Sequence, residues 1–278
     1  MLSTVNRLFF FLLLLILILS ACAPLPTQYI QLESRSIDTG GKQSVLIQID
    51  YGEVTILESA DTKLYIEGQV LFDDQLEYTV DSSEKEIRTK IFVNRDNAAK
   101  VPLRVIVHVP PQMQVTVETK NASVNAESYQ GDLEVASVAG TINVKHGEGT
   151  IKLRSNRGNI TASDSIGQIG IVGNYGTLAA HNVGGDVSVS TIMGNISFNG
   201  AIKEGDTVVL ETDHGPVSVS LSGKSSMVLK VTSASGDVAC MLPEIASTPR
   251  TCDGKFGSGG GILSIRTVSG AVDIQLLP

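Results

Sequence analysis

Glycine recurs every nine residues through the middle of this chain, and this interval restricts the fold more than any other feature of the sequence. Eight consecutive glycines keep it, at positions 131, 140, 149, 158, 167, 176, 185 and 194. An apolar residue stands two positions after each glycine and a second usually follows at four, as in Gly140-Thr-Ile-Asn-Val. That alternation is typical of a β-strand with one buried face, whereas an amphipathic helix spaces its apolar residues by three and four. Every nine residues should therefore form a short strand and a bend.

Two intervals combine into an 18-residue unit, because Ser or Thr stands three residues before alternate glycines. These hydroxyl residues are Ser137, Ser155, Thr191, Thr212, Ser233 and Thr267, and Gly173 interrupts their column. Stacked units would pair equivalent strands in parallel about 4.8 Å apart and bury a core that no single unit can bury. The sequence therefore predicts an all-β fold, a parallel β-solenoid with coils of ~18 residues. We expect the hydroxyls to stabilise turns and one interior ladder to run through Val217, Val238 and Val272.

Residues 43–118 show the same alternation less strictly, and Pro110-Pro111 marks a sharp turn among them. We interpret them as a less regular N-terminal β portion that is continuous with the solenoid. It should cap the stack, because an open parallel edge invites aggregation.

The N-terminal 21 residues have the layout of a secretory signal peptide, with Arg7 followed by twelve apolar residues from Leu8 to Leu19. A membrane-spanning helix needs about 20 apolar residues, which makes an uncleaved anchor helix the less favoured alternative. Leu19-Ser20-Ala21-Cys22 resembles the lipobox of bacterial lipoproteins. That resemblance implies removal of residues 1–21 and acylation of Cys22, which would anchor the protein to the cell membrane or outer membrane on an extracytoplasmic surface.

Residues 22–42 follow as the lipidated cysteine and a flexible tether, since Pro24 and Pro26 exclude a helix or a central strand there. The remaining residues, 43–278, are predicted to form the solenoid domain.

Three segments carry a resemblance to a known family: Val105-Ile-Val-His-Val-Pro-Pro, Val117-Glu-Thr and the terminal Thr267-Val-Ser-Gly-Ala-Val-Asp-Ile. Together with the repeats they resemble the bacterial adhesin-like, or toast-rack, domains of unknown function, over about residues 40–278. The resemblance implies a β-solenoid in a cell-envelope setting and supplies no catalytic residues to transfer.

Charge excludes one class of partner. The 278 residues carry 21 Lys and Arg against 29 Asp and Glu, for a formal net charge of −8, which argues against nucleic acid. The one basic patch of the sequence could meet an anionic envelope polymer, although a solvated face is the commoner use of such charges. Its members are Lys145, Lys152, Arg154 and Arg157.

Metal and cofactor sites are not expected. The four histidines share no metal-ligand spacing with one another or with a cysteine, so we expect surface positions for His108, His146, His181 and His214. Gly184-Gly185-Asp186 is a lone partial match to the nine-residue calcium-binding repeats, which need an Asp in every repeat.

Catalysis on this scaffold would need two or three close carboxylates. Aligned by repeat, the acids do not stack in one column: Glu134, Asp164, Asp186, Asp213, Asp237 and Asp273. Asp206, Glu211 and Asp213 come nearest to a cluster, and we interpret them as a solvated turn. We therefore predict no catalytic residues and no enzyme activity.

Two cysteines remain after Cys22 is assigned to the lipid. In an oxidising compartment Cys240 and Cys252 would form an even pair, and a disulfide between them would close the long insertion across residues 243–259. The alternative is a buried free thiol at Cys240.

These observations favour a lipid-anchored surface protein with an adhesin-like binding or structural role, in contact with envelope polysaccharide or a surface protein. Two alternatives stay open: a carbohydrate-active enzyme on the same scaffold, and an envelope-sensing accessory subunit of a membrane protein.

Overall fold

The structure of the protein is a computed structural model that describes residues 29–31, 34–71, 76–83, 85–93 and 103–277. The predicted signal peptide and the predicted lipidation site Cys22 lie outside these residues. The described chain contains no helix, and so none that could cross a membrane.

The described residues form 24 strands. The first twelve are β1 Tyr29–Gln31, β2 Arg35–Asp38, β3 Ser44–Ile49, β4 Glu53–Glu58, β5 Lys63–Leu71, β6 Leu76–Ser82, β7 Glu86–Val93, β8 Arg104–Val109, β9 Gln114–Thr119, β10 Ser123–Glu127, β11 Leu133–Ser137 and β12 Ile142–Lys145. The others are β13 Glu148–Arg157, β14 Ile160–Ser163, β15 Ile166–His181, β16 Gly184–Gly200, β17 Thr207–His214, β18 Val217–Leu221, β19 Met227–Ser233, β20 Val238–Cys240, β21 Ala246–Ser247, β22 Thr251–Phe256, β23 Gly261–Thr267 and β24 Val272–Leu276.

The predicted parallel β-solenoid is confirmed, with each central coil contributing one strand to each of two columns. Ile151 of β13 lies between Leu133 and Ile169 in the first column, one repeat unit from each of them. Ile142 and Ile160 pair at the same interval in the second column. The strands β15 and β16 are long because each runs through a corner and so belongs to both columns.

Apolar side chains point inward from both columns and form one continuous core. Valine, isoleucine and leucine make up most of it. Among the described residues, Tyr129 and Phe198 are the only buried aromatic side chains.

The glycines are required at the corners because successive coils touch there through their backbones. A Cβ atom on Gly158 would clash with the carbonyl oxygen of Gly140 in the preceding coil, and one on Gly194 would clash with that of Gly176. Three of the six predicted hydroxyl residues hold these corners: Ser137, Ser233 and Thr267 each accept a hydrogen bond at 2.8 Å from the N–H of the glycine three residues later. Ser155 and Thr191 donate to backbone carbonyl oxygens instead, and the buried Thr212 Oγ1 has no partner among the described residues.

The N-terminal end departs from this regularity. The coil formed by β3 and β4 lies inside the stack, between the coil of β7 and β8 and the coil of β9 and β10. Beyond β7 and β8 the stack continues with antiparallel strands, β6 beside β7 and β5 beside β8. The expected cap is therefore an antiparallel one.

Part of the predicted tether is also structured. The strands β1 and β2 both pair antiparallel with β5, so residues 29–31 and 35–38 correct the flexible-tether prediction for 22–42. The physical reason is that β5 has an otherwise unpaired outer edge, whose N–H and C=O groups these segments satisfy.

At the C-terminal end a coil is also inserted between two others, and this corrects the predicted order of Val217, Val238 and Val272 in the interior ladder. Val272 of the last coil pairs with both Val217 and Val238, so Val272 lies between them and not after them. The last coil, β23 and β24, is thus inserted between that of β17 and β18 and that of β19 and β20. The edge of β19 is then covered by the antiparallel strand β22.

A disulfide links Cys240 and Cys252 in this outer coil, with Cα atoms 6.3 Å apart. The long insertion that contains Cys252 folds back as β21 and β22. Cys252 is fully buried and Cys240 is partly buried, so the bond joins the end of β20 to the strand that covers β19.

Candidate functional site

Gly170 differs from the corner glycines because nothing in the fold requires it. Its nearest neighbour for an added Cβ is the carbonyl oxygen of Ile151 at 4.0 Å, and its φ lies outside the left-handed region. It sits inside β15 on the outer face of the first column, half-exposed. A glycine within a strand weakens it, and often marks a place where another molecule approaches the backbone closely.

A groove opens at this glycine on the outer face of four neighbouring strands, β13, β15, β16 and β17. Its volume is about 400 Å³. Gly170 lies in one row with Lys152, Ser188 and Val209, so the missing side chain leaves a gap between them. The groove is lined by Thr150, Lys152, Gln168, Ile169, Gly170, Asp186, Val187, Ser188, Thr207 and Val209.

Three polar side chains at the groove are available to a ligand. Within the described part of the chain, Lys152, Gln168 and Asp186 make no side-chain hydrogen bond or ion pair, and all three are exposed. Lys152 and Asp186 stand two strands apart and are offset by two residues along the strand direction, which places their backbones roughly 12 Å apart. The groove therefore offers a cation, an amide and a carboxylate, together with the hydroxyls of Thr150 and Ser188, above an apolar floor.

The groups that line the groove can bind a polar ligand. The amide and hydroxyl groups can both donate and accept hydrogen bonds, the ammonium donates and the carboxylate accepts. The groove is open to solvent along its length, so it suits an extended ligand better than a compact one.

The predicted basic patch is only partly assembled. Lys152 and Arg154 project from the outer face of β13, Lys152 into the groove, and Arg157 lies at the corner where β13 ends. Lys145 belongs to β12 in the second column and is on another face.

The four histidines lie apart from one another. His108 Nε2 lies 3.9 Å from Glu67 Oε1, and His214 Nδ1 lies 2.7 Å from Ser269 Oγ. His146 occupies a left-handed corner with φ near +54°, and His181 ends β15 in the second column. No group of three His, Cys, Asp or Glu residues that could hold a metal ion occurs in the described residues.

The three clustered acids do not form a carboxylate pair around a cleft. Asp206 Oδ2 accepts a hydrogen bond from the Lys203 N–H at 2.8 Å and Oδ1 accepts one from the Gly185 N–H at 3.2 Å. Asp206 therefore holds a turn. Glu211 is five residues further along an extended strand, roughly 17 Å away, and both Glu211 and Asp213 are exposed.

A second groove of about 440 Å³ lies beside Pro110 and Pro111, near the N-terminal end. Its wall includes Met113, whose carbonyl oxygen accepts a hydrogen bond from the buried Tyr129 hydroxyl. Burial, and next the charge of Glu58, raises the pKa of Tyr129 above its usual range. Since Tyr129 stays neutral and bonded, it supports this corner structurally.

A parallel β-solenoid with an open polar trough on its outer face defines the chain as a repeat protein built around an extended surface. The chain belongs to the Toastrack DUF4097 family, whose model matches residues 36–275.

Several solved structures are similar to this chain. A "putative adhesin" from Bacteroides fragilis is 12% identical, with a TM-score of 0.47 and coverage of 90% of this chain and 99% of its own. A "putative adhesin" from Parabacteroides distasonis is 9% identical, with a TM-score of 0.37 and coverage of 90% and 98%. A "putative lipid binding protein" from Parabacteroides distasonis is 12% identical, with a TM-score of 0.39 and coverage of 88% and 96%. Such low scores say nothing about ligand or activity. No curated protein matches the chain.

Sequence reasoning missed Gly170, although a signal was present. Gly170 lies three residues after Gly167 and so falls outside the nine-residue frame, at a position that points outward. A glycine that the corners do not need was the indication of a gap in the surface.

Proposed function

We propose that this protein is a lipid-anchored, extracytoplasmic binding protein of the cell envelope, without catalytic activity, that holds an envelope polysaccharide in the groove at Gly170. The observation that carries the proposal is that three polar side chains without a partner among the described residues, Lys152, Gln168 and Asp186, line one groove beside Gly170. A hydroxyl-rich ligand needs both donors and acceptors, and Gln168, Asp186 and Lys152 supply them side by side.

Two further features support the location. The signal sequence and Cys22 favour export and acylation, and several acyl chains anchor a protein where one is marginal. The Cys240–Cys252 disulfide is of the kind that persists in oxidising compartments outside the cytoplasm.

Polysaccharide binding is tested on arrays of envelope glycans and envelope proteins, with the full acylated chain in detergent. Gly170→Phe should fill the groove without backbone strain, because the site has ordinary φ and open space around its Cβ. We expect glycan binding to weaken about tenfold or more, as it would when the contacts in the groove are lost. Gly223→Phe is the matched control, since its Cβ also meets no atom within 4 Å and it does not line the groove.

Three results would overturn the proposal. These are glycan binding that survives Gly170→Phe, binding to an envelope protein in place of a glycan, and cleavage of the bound polysaccharide.

Acylation is tested separately by growing cells with a labelled fatty acid. We expect label in the wild-type protein and none in Cys22→Ala, which keeps the rest of the chain unchanged. Label that persists in the variant would contradict anchoring through Cys22, while leaving the groove proposal untouched.

A further inference from the structure

An exposed apolar patch lies at the corner that ends the first column, on the two adjacent strands β15 and β16. Val172, Tyr175, Ile192 and Met193 are each between 41% and 49% exposed. Tyr175 and Met193 are direct partners across the two strands. We call these four residues the corner ridge. None of them lines the groove at Gly170.

Opposite charges flank the corner ridge on its two sides. On one side is β13, with Arg154 beside Val172 and Arg157 beside Tyr175. On the other side is β17, where Glu211 is beside Ser190 and Asp213 is next in line beyond Thr212. Across these four consecutive strands, at steps of about 4.8 Å, two rows of paired residues cross the corner. The first row is Arg154, Val172, Ser190 and Glu211, and the second is Arg157, Tyr175, Met193 and His214.

The first row, with Arg154 at one end and Glu211 at the other, is complementary in charge to a second copy of itself under a two-fold rotation. An axis above the midline between β15 and β16, parallel to the strands, would bring β13 of one copy opposite β17 of the other. Arg154 would then face the partner's Glu211, and Tyr175 would face the partner's Met193. A two-fold interface has this property, that residue i contacts j and j contacts i.

We propose that two copies of this chain associate through the corner ridge with their solenoid axes antiparallel. The apolar centre would supply the burial, and a sulfur–aromatic contact between Met193 and Tyr175 would add to it. The two symmetric Arg154–Glu211 pairs fix the direction, because a parallel arrangement would place like charges together. Arg266 lies beside Glu211 on β23, but among the described residues these two form no ion pair, so the Glu211 carboxylate is open to the partner.

The ridge itself is small beside the roughly 800 Å² that each partner of a stable dimer buries. The association should therefore be weak in dilute solution and stronger where the protein is concentrated on a membrane surface. For that reason the test is made on the full chain in the cells that produce it.

A single introduced cysteine reports the contact. Met193→Cys, close to the axis, should give a dimer with a short bis-maleimide reagent in intact cells. Ser218→Cys on the exposed outer face of the second column is the matched control and should not. The unmodified chain serves as the blank for its native cysteines. Cross-links to another protein only, or no dimer, would overturn the proposal.

Charge reversal provides a second readout that misfolding cannot imitate. In the Met193→Cys background, Arg154→Glu or Glu211→Arg should lower the cross-linked fraction about tenfold, because each dimer contains two such pairs. Combining both reversals should restore the dimer to within about twofold of the starting level. Single reversals without effect, or a combined variant that stays monomeric, would overturn the proposal. Glycan binding at the Gly170 groove is measured independently on the same variants.

Discussion

The central coils and the two ends of this solenoid obey different rules. Through residues 131–198 each strand pairs with the strands one repeat unit before and after it, so chain order and stack order agree. At the ends they disagree. Ile47 pairs with Val117 and Val272 pairs with Val217, although several strands separate the two partners along the chain in each case.

The difference shows what ends a stack of this kind. A terminal coil placed outermost would leave its edges unpaired, and unpaired edges recruit other strands. Here the first and last coils are each enclosed between two others, and the outermost strands are antiparallel ones such as β6 and β22. In the centre the repeats therefore determine which strands pair, whereas at the ends the pairing is determined by the need to cover unpaired strand edges.

The largest loss of stability is expected from a substitution at a corner of the central coils. Gly158→Ala would drive a Cβ into the carbonyl oxygen of Gly140 in the coil before it. Because both atoms belong to the backbone of a paired stack, the coils must separate, and we expect a loss of about 3 kcal/mol in the free energy of unfolding. Urea denaturation followed by circular dichroism measures this.

Gly170→Ala is the matched control, since Gly170 lies in the next coil but has open space around its Cβ. It should be neutral or stabilise the fold by up to about 1 kcal/mol, because alanine loses less chain entropy than glycine. Equal losses in the two variants would show that the corners do not depend on glycine.

The sequence contained the central architecture almost completely. The glycine interval, the apolar pairs such as Ile142 and Val144, and the hydroxyl of Ser137 predicted strands, core and corners, because each coil there repeats the same local contacts. The position of Val272 could not be predicted in this way. A coil of the right pattern fits equally well on either side of β19, and only the covering of edges over long sequence distances decides between them.

The same limit applies to the candidate site. Lys152 stands out in the sequence because it is charged and lies near other basic residues. No sequence pattern connects Gln168 and Asp186 with it, since the groove arises from four coils side by side and from the gap at Gly170. A gap made by a glycine is harder to recognise in a sequence than a charged side chain such as that of Lys152.

Removal of the Cys240–Cys252 disulfide should show whether the C-terminal end opens separately from the central coils. Replacing the disulfide with Cys240→Ser and Cys252→Ala opens a loop of 12 residues, which should cost roughly 3 kcal/mol. Hydrogen exchange should rise across β19 to β22, while the central strands β13 to β16 keep their protection, because coils open locally at the ends first.

Reduction of the unchanged protein provides the control, since it breaks the same bond without replacing either side chain. Exchange that rises equally in the central coils would mean that the ends and the centre unfold as one unit, and that the distinction between them is only topological.

The smallest effect is expected at two threonines that pair directly with each other near the boundary between centre and end, Thr212 and Thr267. Thr267 Oγ1 accepts a hydrogen bond from the Gly270 N–H at 2.8 Å, whereas the buried Thr212 Oγ1 has no partner among the described residues. Thr267→Ala should therefore lower the free energy of unfolding by about 1 kcal/mol, while Thr212→Val should be neutral or stabilising. Thermal unfolding of both variants separates them, and a larger loss in Thr212→Val would mean that its hydroxyl has a partner in solution.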